Sequence, residues 1–569
     1  MKIEFIGADH EVTGSCHYIR VGAVNLLVDY GMEQGVNVFE NAELPVQPSK
    51  IQYVFLTHAH IDHSGMLPKL YHDGFRGKII TTESTKALCD IMLRDSAHIQ
   101  QQEAEWKNKK GARTGVWQKV EPAYTMEDTL ACLRLFEGYR YGKKYQLCNG
   151  VEFRFTDIGH LLGSASIELW LTENADGTAA GCPVGAPEGT ITKKIVFSGD
   201  IGNKNQPLLK DPEYTDAADY VVMESTYGDR LHEPPKGNYE EDLAAIIKKT
   251  LLRGGNLIIP SFAVGRTQEM LYFIRKIKEE NLIPELPDFP VYVDSPLAVE
   301  ATEVFSKEGA QCYDDEAMEF VRKGINPLQF DRLYLTVTSD ESKAINTDDE
   351  PKVIIAASGM CDAGRIKHHL KYNLWRPECT VLFVGYQSVG TPGRRIVDGT
   401  DEIRIFGEPV AVRAEIEVLQ GLSGHADKAG LIDWIEGFTA QKPSKVFIVH
   451  GEDEAAMSFA KCLREEHGFD ADAPYSGTVF NLAEGEYEKV TEGVRIHRKG
   501  EGGYDNDMPE SGKKRQASSS YTQVRIAEKE LSKVIEEGTG LPNRELEELA
   551  GELRALAKKY RITEPQHRC

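Results

Sequence analysis

The stretch Val54 to Leu70, VFLTHAHIDHSGMLPKL, carries His58, His60, Asp62 and His63 within six positions. Three protonated imidazoles this close would repel one another, so the group makes chemical sense around a cation. Imidazole and carboxylate are good ligands for zinc, which takes about four ligands in a structural site and three plus water in a catalytic one. His58 and His60 are two apart just past an apolar run, so their side chains leave an extended backbone on one side. Asp62 and His63 follow on the turn into a helix. Such a cluster needs partners from other strand ends, and three stand where apolar strands stop. These are His160 in DIGHLLGSA, Asp200 in VFSGDIG and His450 in VFIVHGE, each flanked by a glycine that lets backbone approach closely. A single His at a strand end is usually an ordinary residue; no packing need accounts for three His and an Asp together.

The positioning elements follow from periodicity. MKIEFIG, HYIRVG, VNLLVDYG and IQYVFLT read as short strands, the last apolar enough to be buried on both faces. A helical pattern runs to about Tyr71 and another spans 83 to 110. Strands return at GVEFRFTDIGH, SASIELWLT, KKIVFSGD and YVVMEST, with loops expected at 171–192 and 228–238. From about Glu240 regular strand–helix alternation sets in, as a parallel α/β sheet requires. VAVRAEIEVLQGLSGHAD and SKVFIVHGE then return to long strands. The expected division is 1–228, 229–407, 408–498, and a linker with a helical tail at 499–569.

A chain of 569 residues exceeds one ordinary core. No apolar run approaches a membrane span, and the start lacks the apolar core of a signal peptide. Ten cysteines without a CxxC fit a reducing cytoplasm. The formal net charge of −23 argues against a general nucleic-acid binder, although a local basic groove can sit on an acidic body.

THAHIDHSG, LLVDYG, GHLLGSA and FSGD resemble four motifs of the metallo-β-lactamase superfamily. MESTYG, GLSGHAD and VHGE resemble motifs A, B and C of its β-CASP branch of nucleic-acid-processing hydrolases. The opening IGADHEVTGSCHYI and SGMCDAGRIKHHL are similar to the pre-mRNA 3′-end endonuclease and its bacterial and archaeal relatives. The resemblance implies an α/β fold: a metallo-β-lactamase αββα sandwich, an inserted β-CASP parallel α/β domain and a helical C-terminal tail. It implies two Zn2+, one held by His58, His60 and His160, the other by Asp62, His63 and His450, with Asp200 between them and Asp29 orienting the cluster. The ligand set is complete. A histidine at motif C, typically lacking in the DNA-repair branch, favours single-stranded RNA as substrate.

Two such cations activate a water and stabilise the charge of an in-line displacement at a phosphodiester. Asp62 is placed to take the water's proton. Glu224 and His425, paired by the resemblance, are the candidates for protonating the leaving oxygen, a carboxylate keeping the imidazole charged. Glu224 before STYG equally fits a cap or loop carboxylate. The substrate clamp is expected at strand-to-helix turns, where free N–H groups favour anions: Gly265, Arg266 and Thr267; Ser358, Gly359 and Arg365; Arg394 and Arg395.

A thioesterase or lactonase shares H-x-H-x-D-H but needs no inserted domain with Arg-bearing turns. A non-catalytic RNA-binding scaffold needs no full ligand set. The tail carries Leu546, Leu549, Leu553 and Leu556 at helical spacing, a stripe expected to dock on its own body or on a partner, a homodimer among the outcomes.

Overall fold

The computed structural model describes residues 1–496 except 36–37, 115–118, 175–188, 233–237 and 420, with backbone alone at 112–114. The expected linker and helical tail lie outside the described residues. Residues 1–496 form one compact unit.

Two sheets face each other. The first runs Glu486–Lys489, Val479–Asn481, Lys2–Gly7, Cys16–Val21, Val24–Val28, Tyr53–Phe55, Lys78–Thr82, Phe136–Tyr139. The second runs Ala471–Asp472, Lys445–Ile448, Tyr220–Met223, Thr190–Phe197, Ala165–Asn174, Val151–Asp157, Tyr145–Cys148. Strand alternation explains the layers. Phe55 points into the core between the sheets with Phe153, Phe197, Val222 and Phe447. Val54 and Leu56 point outward, under Leu67, Leu70, Leu88 and Met92 of the helices Leu67–His72 and Glu83–Thr114. On the far side Val221, Met223 and Ile448 pack against Leu431, Trp434, Phe459 and Leu463 of Lys428–Glu436 and Asp453–Glu465. The result is an αββα sandwich whose central strands are buried on both faces, as the apolar run at Val54 requires.

The strand–helix alternation builds a third sheet, in the order Leu333–Thr336, Val291–Asp294, Val353–Ala356, Leu257–Pro260, Thr380–Phe383, Glu415–Val418. Every pairing in it is parallel. The chain leaves Leu257–Pro260 toward one side and returns to its other side at Thr380–Phe383, so the carboxyl ends of these strands form the crevice where such sheets bind ligands.

Three details differ from the sequence expectations. The strands Ala165–Asn174 and Thr190–Phe197 run into the expected 171–192 loop, because buried Leu171 continues the antiparallel ladder to Asn174 and Thr190. The long strand expected around Val410 is two short ones. Glu408–Ala411 closes a hairpin on Glu402–Ile405, while Glu415–Val418 pairs with Thr380–Phe383, so the parallel sheet extends past residue 407.

Candidate metal centre

The cluster residues all leave carboxyl ends of strands in the paired sheets. The chain turns outward after Phe55. His60 precedes the short helix Ile61–Ser64, and the Ser64 hydroxyl donates to the carbonyls of Ala59 (2.9 Å) and His60 (3.0 Å), closing that turn. Gly31 lies so close that a Cβ there would stand 1.6 Å from the Asp62 carbonyl oxygen; only glycine fits. His160 follows Val151–Asp157, Asp200 follows Thr190–Phe197 and His450 follows Lys445–Ile448. Asp29 and His450 both have positive φ, 60° and 49°, a backbone cost that surrounding structure must hold in place.

The structure brings these groups to one point. His60 Nδ1 lies 3.0 Å from His58 Nε2 and 3.2 Å from His160 Nε2. Asp200 Oδ2 is 3.4 Å from His58 Nε2 and 3.5 Å from His160 Nε2. On the other side of the same carboxylate, Oδ1 is 3.2 Å from His63 Nε2, which is itself 3.1 Å from His450 Nε2. Asp62 Oδ2 completes this second group, 3.7 Å from His450 Nε2. Ligand atoms within each group lie within 4.8 Å of one another.

The donor chemistry fits cations. His160 Nδ1 faces the Gly424 carbonyl at 3.0 Å. A carbonyl only accepts, so the proton sits on Nδ1 and Nε2 turns a lone pair inward. His63 Nδ1 faces Asp29 Oδ2 at 2.7 Å with the same consequence. Asp29 is held in turn by the Thr57 N–H (2.8 Å) and hydroxyl (2.9 Å). Asp200 is buried, and its Oδ1 accepts no hydrogen bond. Lone pairs and an unsatisfied carboxylate packed this tightly are costly without positive charge between them. Burial, reinforced by His58, pulls His60 down to about 3, and burial also lowers His58 and His160, so these imidazoles are neutral, the state in which a histidine can coordinate a metal. Burial acts the same way on His63 and His450, but the neighbouring carboxylates together outweigh it, Asp200 and Asp29 at His63 and Asp200 and Asp62 at His450, and raise both; a proton there stands where a cation would go. An Asp29→Ala protein is expected to hold metal about 10–100-fold more weakly, measured by competition with a chelator.

Beside this cluster, His425 Nδ1 sits 3.1 and 3.3 Å from the two oxygens of buried Glu224. His425 Nε2 points back to Asp200 Oδ2 at 3.9 Å, and the side chain keeps 22% exposure. Glu224 also accepts the N–H of Ile201 (2.6 Å) and of Thr226 (3.2 Å), so it is loop brace and imidazole partner at once. Burial lowers the His425 pKa, but Glu224 outweighs it and raises it to about 9. The spacing gave no sign of Thr57, the Gly424 carbonyl, Tyr227 or His232, which complete the surroundings. Tyr227 stacks edge-on with His232 at 4.8 Å and lies 6.1 Å from His425. The hydroxyl directly before His58 was the one local signal available for Thr57.

At the turns of the parallel sheet several groups serve internal bonds. The Gly265 N–H donates to Gln268 Oε1 at 2.7 Å, and the Thr267 hydroxyl donates to the Phe262 carbonyl at 2.7 Å. Arg266 pairs with Glu269 and donates to the Leu422 carbonyl at 3.0 Å. Arg365 pairs with buried Asp294 at 2.6 Å, which His369 also contacts at 2.8 Å. Each of these arginines lies beside an acid largely removed from water, where the ion pair outcompetes hydration. The Ser358 hydroxyl bonds Asp362, and the Gly359 carbonyl accepts from Gln387. Arg394 is half-exposed with Asp398 at 2.8 Å; Arg395 is exposed, with no ion pair among the described residues.

Comparison with known proteins agrees with this architecture. Family models match at residues 11–124 (metallo-beta-lactamase superfamily), 267–396 (Beta-Casp domain) and 409–474 (Zn-dependent metallo-hydrolase RNA specificity domain). A ribonuclease of Thermus thermophilus is 35% identical over 464 residues, covering 81% of this chain and 96% of the relative. An RNase J-like protein of Methanocaldococcus jannaschii is 29% identical over 483 residues, 84% of this chain and 99% of the relative. The transcription termination factor FttA of the same organism is 27% identical over 479 residues, 82% and 69% of the two chains. Sandwich, inserted parallel sheet and convergent ligand groups thus come together in a metal-dependent hydrolase that belongs to the β-CASP branch of the metallo-β-lactamase superfamily.

Proposed function

We propose that the chain is a two-zinc ribonuclease that hydrolyses phosphodiester bonds of single-stranded RNA in RNA processing or degradation. The observation that carries this reading is the placement of Asp200, whose two oxygens face two separate ligand groups while His425 stands at its edge. His58, His60 and His160 would hold one ion and Asp62, His63 and His450 the other. Zinc ions bound there would supply an activated water and charge neutralisation at the phosphate. The chain's own groups do the rest. Asp29 and Gly424 fix which nitrogens of His63 and His160 are free to coordinate. Asp62, at the rim, takes the proton of the attacking water. Glu224 holds His425 charged and aimed, so that Nε2 delivers a proton to the leaving 3′-oxygen.

Support for RNA comes from the RNA specificity model at residues 409–474 and from the relative named a ribonuclease. Ser358, Gly359, Arg394 and Arg395 line the crevice and contact phosphates; Gly265, Arg266, Thr267 and Arg365 hold the turns that present it. Among the described residues no helix is long and apolar enough to cross a membrane, and all eight described cysteines are free. This accords with a cytoplasmic enzyme. The homodimer is part of the same reading, checked by light scattering.

The deciding experiment is incubation with end-labelled single-stranded RNA, reading the product ladder at early times. Cleavage that requires zinc supports the proposal; turnover of a thioester with intact RNA overturns it. Arg395→Ala should weaken RNA binding while leaving metal content unchanged, and should flatten the dependence of log affinity on log salt by about 0.7, the value for one phosphate contact on a single strand. Binding titrations at several salt concentrations measure this.

A further inference from the structure

Three loops leave the same edge of the parallel sheet, because the adjacent strands Val353–Ala356, Leu257–Pro260 and Thr380–Phe383 all run in one direction. That edge is turned toward the metal centre. A Cβ on Gly265 would lie 3.2 Å from the side chain of Leu161, the residue after His160. Arg266 reaches the carbonyl of Leu422, three residues before His425. On this edge two aromatic rings stand open to solvent. Phe262 is 49% and Tyr386 57% exposed, although each follows a strand whose residues are all buried.

Neither ring sits on a loose loop. Phe262 lies against Gly359, where a Cβ would come 3.3 Å from both its ring and its backbone nitrogen. The Gln387 amide faces the carbonyls of Gly359 (3.1 Å), Gly385 (3.2 Å) and Tyr386 (3.2 Å), tying the Tyr386 loop to that of Gly359, while the Phe262 carbonyl accepts from the Thr267 hydroxyl at 2.7 Å. Single exposed apolar side chains are common on protein surfaces and need no explanation. Two rings with braced backbones, at the binding edge of a parallel sheet and beside the cluster of ionisable groups, are a different arrangement.

We propose that Phe262 and Tyr386 form a stacking subsite for the unpaired bases of a single-stranded RNA whose phosphate lies at the metal centre. The proposal rests on the reading of that centre as an RNA hydrolase. Every base has a π-face, so such a subsite holds RNA without sequence preference and excludes paired bases, whose faces are already covered. The charge balance points the same way. A chain of net charge −23 gains little general affinity from releasing counterions, so contacts independent of salt must contribute to holding a polyanion. Arg394 and Arg395, on the third loop's helix, sit where the strand's phosphates would continue.

The test compares a short single-stranded RNA with a set in which one nucleotide at a time lacks its base. The wild-type full chain should show a KM raised about ten-fold at one or two abasic positions, as a lost stacking contact implies, with kcat little changed. Phe262→Ala and Tyr386→Ala should each raise KM on intact RNA by a similar factor, and each should become indifferent to the matching abasic position. Phe262→Tyr should retain the wild-type KM, which separates loss of the ring from loss of folding. If the wild type cleaves RNA yet no abasic position matters, or if ring and base losses simply multiply, the subsite is wrong while the hydrolase stands. If intact RNA is not cleaved at all, the hydrolase reading fails and takes the subsite with it.

Discussion

An Asp200→Ala protein should lose both metal ions and, with them, RNA cleavage by roughly 10⁶-fold, the low end of what enzymes add over uncatalysed chemistry. The carboxylate is 1% exposed and faces both ligand groups. Its removal leaves five imidazoles and Asp62 around the same space with no shared acceptor. His60→Ala should remove metal from one group first, because His60 Nδ1 is the atom common to the His58 and His160 contacts. Metal counting on purified protein beside an RNA cleavage assay checks both. An Asp200→Ala chain that keeps two zinc ions and full turnover would refute the constellation outright.

His425→Ala should behave differently. The metals stay and RNA still binds, but cleavage slows by ~10²–10⁴-fold, the usual contribution of a general acid. The pH profile supplies a signature that misfolding would not. An acid must be protonated to act, so the wild-type rate should fall as pH rises through the His425 pKa. Glu224 holds that value above the ordinary histidine range, which puts the fall on the alkaline side. The alanine variant should lack this limb, and Glu224→Gln should move it to lower pH. Loss of metal from His425→Ala would instead make this residue a ligand, an arrangement its distance to Asp200 leaves open geometrically.

The ligand-type residues were legible because chemistry crowds them beyond any packing need, or leaves them beside glycine where an apolar strand ends. His58, His60, Asp62 and His63 belong to the first kind; His160, Asp200 and His450 to the second. The individual strands and the parallel sheet were legible because alternation and strand–helix rhythm are local, whereas the sandwich that pairs the remaining strands was legible only through the resemblance of the motifs. Other features depend on what folding brings near. The acids beside Arg266 and Arg365, Glu269 and Asp294, become their partners only in the folded chain. Glu415–Val418 carries a strand pattern, but nothing in it says which sheet it joins. Thr57, Gly424 and Tyr227 act through geometry alone, and no spacing encodes that. Phe262 and Tyr386 look like ordinary core aromatics in sequence; only their exposure singles them out.

The order of the groups along the chain has a consequence for synthesis. Six of the seven cluster residues precede the inserted sheet, whereas His425 and His450 follow it. A ribosome adding about 5–20 residues per second needs roughly tens of seconds to cross that interval. Throughout it, the emerging chain would have, on the proposed assignment, a place for one ion, an incomplete place for the other, and no proton donor. On the proposed mechanism, insertion of the sheet at this point would act as a delay line, with cutting power arriving only after the strand Lys445–Ile448 brings in His450.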